Sequence, residues 1–181
     1  MYNRTVPFAI AVSIFVLDRI TKLIIQTHVT ALETLRVIPG FFNIVHAENP
    51  GVAFGFLADS ESAYRNLFLI GLSATVLIFI TTLLWKARGT ESWLLRVGLA
   101  LVLGGAAGNL YDRVSTGTVT DFAEVYAGQH FFPAFNVADS AISIGAALLL
   151  LDMWRGRSAK TKLEPHTSGT PAGTRRGPEQ A

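Results

Sequence analysis

The sequence predicts an all-α membrane protein with four transmembrane helices, a small extracytoplasmic β-sheet cradle and both termini in the cytoplasm. Three observations lead there. Half of the 181 residues are hydrophobic and 15% are charged, against about 25% charged in soluble domains. The mean hydropathy is +0.41. The apolar residues fall in long blocks, and the lysines and arginines flank those blocks instead of forming a patch. A pI near 9.2 therefore reflects membrane topology, and no nucleic-acid partner is expected. With no cysteine in the chain, disulfides, thiol nucleophiles and cysteine-ligated metals are excluded.

About 20 residues of helix cross the ~30 Å hydrocarbon core. Four blocks qualify: 6–25, 67–85, 93–111 and 137–154. The second carries no charge. The third holds Arg96 near its start, where the side chain can snorkel to the interface. The first begins like a signal peptide, but Asp18, Arg19 and Lys22 follow where small residues would mark a cleavage site, so it reads as a retained span. Ten of the fifteen lysines and arginines fall on the side of the termini, which places that side in the cytoplasm. Segments 28–66 and 112–136 then face outward. Aromatic and β-branched residues with Pro-Gly turns at 39–40 and 50–51 predict short strands over 36–57, so the cradle is expected within about 28–63. Residues 1–155 form one domain, and 156–181, rich in Gly, Pro, Thr and charge, reads as a disordered cytoplasmic tail.

Ionisable groups at membrane depth each need a reason. Asp18 and Lys22, four apart, share a helix face. They form either a structural ion pair or a polar surface for substrate. Asn109, Asp112 and Arg113 share a face at the end of the third block, after Gly104-Gly105-Ala106-Ala107-Gly108. Gly104 and Gly108 fit a close helix contact. Arg113 either anchors the helix or holds a carboxylate or phosphate. Asp121 and Asp139 lie near the outer interface. Brought together, two carboxylates share a proton, so one acts as base and the other as acid. Their spacing equally fits an interfacial turn acid and a helix N-terminal acid. His28, His46, His130 and His166 show no paired metal-ligand spacing. A Ser–Lys pair of Lys22 with Ser115 or Ser140 has no nucleophile motif behind it. A proton-relaying transporter or a structural subunit would also place polar groups in helices. The first would set its acids across the midplane, and the second would not need acids and asparagines at one surface.

Five segments together resemble the lipoprotein signal peptidase (signal peptidase II) family. Asp18-Arg19-Ile20-Thr21-Lys22 is similar to D-x-x-[ST]-K, and Asn49-Pro50-Gly51-Val52-Ala53-Phe54-Gly55 to N-x-G-x-A-F-G. Residues 104–113 (GGAAGNLYDR) match G-G-A-x-G-N-x-x-D-R. Val119-Thr120-Asp121-Phe122 matches V-x-D-F, and Phe135-Asn136-Val137-Ala138-Asp139-Ser140 matches F-N-x-A-D-S. The resemblance implies an aspartic endopeptidase of the bacterial cytoplasmic membrane, with its site facing outward and no metal or organic cofactor. It implies cleavage of diacylglyceryl-modified prolipoproteins just before the lipidated cysteine. It assigns catalysis to Asp121 and Asp139, and substrate binding or site support to Asp18, Lys22, Asn49, Asn109, Asp112, Arg113 and Asn136. Inhibition by globomycin and action as a monomer in membrane lipid are expected with it. Residues 49–56, with glycines at 51 and 55, are expected to help clamp the substrate peptide.

Overall fold

The computed structural model describes residues 5–31, 33–51, 62–87 and 91–161. It has four helices and four strands: α1 (Thr5–His28), β1 (Thr34–Ile38), β2 (Phe42–Asn49), α2 (Ser62–Lys86), α3 (Trp93–Ser115), β3 (Val119–Ala127), β4 (His130–Phe131) and α4 (Val137–Thr161). Three helical stretches, Ala63–Lys86, Trp93–Ser115 and Val137–Arg155, are long and apolar enough to cross a membrane. α1 is as long, but Asp18, Arg19 and Lys22 crowd its second half.

α3 is the central helix, packed against α1, α2 and α4. Its buried Leu99 and Leu103 meet Ala11, Ile80 and Leu84. Polarity is inverted relative to a soluble protein: Phe68, Leu72, Ile78, Phe79 and Leu150 are exposed, while Asp18, Lys22, Asn109 and Asp112 are buried. That is the distribution expected when the surrounding solvent is hydrocarbon. Backbones touch where the glycines of α3 fall. A Cβ on Gly104 would lie 2.5 Å from the Ala11 carbonyl oxygen, and one on Gly105 would lie 2.4 Å from that of Ala138. Gly104 therefore seats α1 and Gly105 seats the first turn of α4. Gly105→Ala is expected to destabilise the fold by about 1–3 kcal/mol through overpacking, read as a lower unfolding temperature in detergent.

The sheet sits at the end of the bundle where α1 and α3 finish and α4 begins. It is antiparallel in the order β1-β2-β3-β4. Half of it comes from residues 119–131, beyond the predicted cradle at 28–63, because β3 completes the ladder of β2. The β1–β2 turn uses Gly40 at φ 82, a left-handed conformation that suits glycine. A bulge interrupts β2 between Ile44, which faces Ala123, and Ala47, which faces Asp121. The extra residue flips the side-chain alternation, so Asn49 comes to the same face as Asp121. At the other end, α4 continues to Thr161, past the predicted boundary at 155. The remainder of the predicted tail and most of the predicted clamp, residues 52–56, lie outside the described residues.

Candidate active site

The N-terminus of α4 builds the site. Asn136 is its cap: the side-chain oxygen accepts the backbone N–H of Asp139 at 2.8 Å, and the Asp139 carboxylate accepts the backbone N–H of Asn136 at 3.3 Å. This reciprocal capping box satisfies two end donors and fixes the Asp139 rotamer. A third donor, Ala138 N–H, goes to Asp18 Oδ1 at 3.0 Å. The Asn136 amide is then left facing β3, where it donates to Asp121 Oδ1 at 2.7 Å. One asparagine thus touches both aspartates.

Two further asparagines complete the shell. Asn49 donates to the other Asp121 oxygen at 2.8 Å, and Asn109 donates to Asp139 Oδ1 at 2.7 Å. Asp121 is 3% exposed. Burial raises its carboxyl from the usual range to about 6, and the charge of Asp139 pushes the same way. The donors Asn49 and Asn136 and the charge of Lys22 pull against that rise. Arg113 donates to the Asn109 carbonyl at 3.3 Å, and its charge acts on both aspartates.

Beneath the aspartates lies a buried ion cluster. Lys22 is fully buried, with Nζ 2.8 Å from Asp18 Oδ2, 2.7 Å from Asp112 Oδ2 and 3.0 Å from Asn109 Oδ1. Asn109 takes a hydrogen bond from the ammonium, and the two carboxylates face it as ion pairs. Arg19 pairs with Asp112 and stacks 4.3 Å over the Tyr111 ring. Two carboxylates thus face two cations, and the charges balance. Gly108 makes room for the cluster, since a Cβ there would lie 2.5 Å from Asp18 Oδ2.

All nine residues singled out in the sequence fall in this one connected network. Asp18 and Lys22 form an ion pair, and Lys22 also contacts Asn109, whose amide binds Asp139. Arg19 is a participant that the motif reading passed over. Its charge within a helix at membrane depth was the available signal. The cross-strand group Glu48, Thr120 and Gln26 was also missed, because no sequence spacing marks it.

Fold and site together define a multi-pass, helical membrane protein that carries two carboxylates in a shell of asparagines. The family model described as Signal peptidase (SPase) II matches residues 10–155. A lipoprotein signal peptidase of Solibacter usitatus is 48% identical over 151 residues, covering 82% of this chain and 90% of its own. One of Pseudomonas aeruginosa (strain PAO1) is 44% identical, covering 83% and 88%. A bacterial membrane enzyme solved by the in meso method at 2.3 Å superposes with a TM-score of 0.76 at 31% identity, over 89% of this chain and 94% of that one. The chain belongs to the signal peptidase II family. It is accordingly an aspartic endopeptidase that removes signal peptides from lipoproteins.

Proposed function

We propose that Asp121 and Asp139 are the catalytic dyad, with Asp121 holding the shared proton and Asp139 acting as base. The observation that carries this is the double contact of Asn136, whose amide binds Asp121 while its backbone N–H binds Asp139. Asp121 is the more buried partner, with its carboxyl raised to about 6. Asp139 sits in the first turn of α4, where end N–H groups and the helix dipole favour a negative charge. In the reaction, Asp139 takes a proton from water and the water oxygen attacks the scissile carbonyl carbon. Asp121 protonates the carbonyl oxygen. As the tetrahedral intermediate collapses, that proton returns to Asp121, and the proton on Asp139 passes to the leaving amine of the diacylglyceryl cysteine. Asn49, Asn109 and Asn136 hold the carboxylates, and Arg113 supplies positive charge beside them. Asp18, Lys22 and Asp112 support Asn109 and the start of α4.

In the same reading α1 is a fourth span, its ions masked by the cluster, and both termini are cytoplasmic. The sheet and the dyad then face the extracytoplasmic side, where water reaches the bond while the signal helix and acyl chains stay in lipid. Globomycin is expected to block the dyad, and the enzyme to act as a monomer.

The test is cleavage of a diacylglyceryl-modified prolipoprotein by purified enzyme across pH, with and without globomycin. The working state needs Asp121 protonated, so kcat/KM is expected to fall above pH 6, about tenfold per unit. A profile that rises through pH 6 to 8 would reverse the roles of the two aspartates. Cleavage that globomycin leaves unchanged would remove the dyad as its target.

A further inference from the structure

On the opposite face of the same strands lies a second polar group. Glu48 pairs across β2 and β3 with Thr120, between the pairs that carry Asn49 and Asp121. Its carboxylate accepts from Thr118 Oγ1 at 2.5 Å and from Thr120 Oγ1 at 3.0 Å. Thr120, 1% exposed, accepts in turn from Gln26 Nε2 of α1 at 2.7 Å. His46 is the third arm, with Nδ1 2.8 Å from the Val29 carbonyl just beyond α1 and Nε2 3.1 Å from Glu48 Oε1. A carbonyl has no proton to give, so Nδ1 is the donor there. Burial opposes the Glu48 charge, but Thr118, His46 and Thr120 outweigh it and hold the carboxyl below its usual range. One charged acceptor therefore gathers β2, β3 and the end of α1 at the level of Asp121.

We propose that Glu48 is a positioning residue for Asp121. It locks the β2–β3 step at which Asn49 donates to Asp121, and it does so from the opposite face of the strands. The inference rests on the dyad reading above, and it makes a separate claim about the pH profile. Loosened strands weaken the Asn49–Asp121 hydrogen bond, which holds Asp121 down, so Asp121 moves up. Loss of the Glu48 charge alone acts in the other direction, because one nearby anion fewer favours ionised Asp121. The two effects differ in sign.

The experiment compares full-length wild type with Glu48→Ala and Glu48→Gln by kcat and KM across pH. In Glu48→Gln the amide oxygen, in the place of Oε2, still accepts from Thr118, and the amide nitrogen, in the place of Oε1, can donate to His46 Nε2 and Thr120 Oγ1. Glu48→Ala is expected to lower kcat several-fold at pH 6 with KM within about twofold, and to move the alkaline limb up by about half a unit. Glu48→Gln is expected to keep most of kcat and show no upward shift. An unshifted or lowered limb in Glu48→Ala overturns the proposal, as does a Glu48→Gln variant as impaired as Glu48→Ala. If Glu48→Ala does not accumulate folded, Thr120→Val removes one arm of the same group, and its limb is read by the same rule. The wild-type limb near pH 6 tests the dyad, and only the difference between variants tests Glu48.

Discussion

Asp121→Asn and Asp139→Asn are each expected to lose about 10⁴-fold or more in kcat, because a catalytic unit missing one member keeps only its binding and polarising contributions. The two variants should nonetheless part company in stability. The fold raises the Asp121 carboxyl from 3.8 to about 6. A raised carboxyl contributes stability that is complete below its unfolded pKa and is lost as pH rises through its folded pKa. At pH 8 wild type therefore carries a penalty of up to about 3 kcal/mol for the buried charge. Asp121→Asn removes that penalty. It also sets one amide N–H₂ against the donors Asn49 and Asn136, which costs about 1–3 kcal/mol. The expected result is a variant that is inactive and at least as stable as wild type at pH 8, but less stable at pH 4, where the penalty is still below about 1 kcal/mol. Asp139→Asn disturbs the capping box and should lose about 1 kcal/mol at both pH values. Thermal unfolding of both variants in detergent, alongside cleavage assays, checks this. A folded variant with near wild-type cleavage at either position would return the dyad to being two unrelated interfacial acids.

The residues of the site were legible in sequence where one helix brings them together. Asp18 and Lys22 at i, i+4 and Asn109 and Arg113 at the same spacing each need only helical geometry, whereas Asn136 entered through the family resemblance and only the structure pairs it with Asp139 in a capping box. The capping box is why the last pair is local as well as functional. The joining of Asp121 to Asp139 was not legible in spacing. It depends on β3 pairing with β2 across more than 70 residues and on the β2 bulge that turns Asn49 inward. Pairing at such a distance is set by tertiary packing, so the strand reading stopped short of β3 and β4. The end of α4 was misplaced for a different reason: Gly156 weakens a helix without forbidding it, and the flanking Arg, Ala and Lys are good helix formers.

Replacing Lys22 with methionine is expected to be the most destabilising single change in the fold. The ammonium is fully buried and is shared by Asp18, Asp112 and Asn109. Methionine has nearly the same length, so packing is preserved, but two buried carboxylates lose their shared cation, Asn109 loses its shorter donor, and only Arg19 remains against two acids. Breaking a buried ion pair in this way costs about 3–5 kcal/mol. Lys22→Arg should not rescue, since a planar guanidinium cannot aim three protons at acceptors arranged around a single nitrogen. The double variant Lys22→Met with Asp18→Asn should recover a large part of the loss. It restores charge balance, leaves Arg19 paired with Asp112, and keeps an oxygen at position 18 for the Ala138 N–H. Cleavage should not recover with it, because Asn109 keeps only the longer donor to its oxygen, the Asn136 amide at 3.3 Å, while its own amide holds Asp139. Unfolding in detergent and kcat, measured on the single and double variants, separate the two roles. Equal stability of the two variants would mean that the cluster is held by packing and not by its charges.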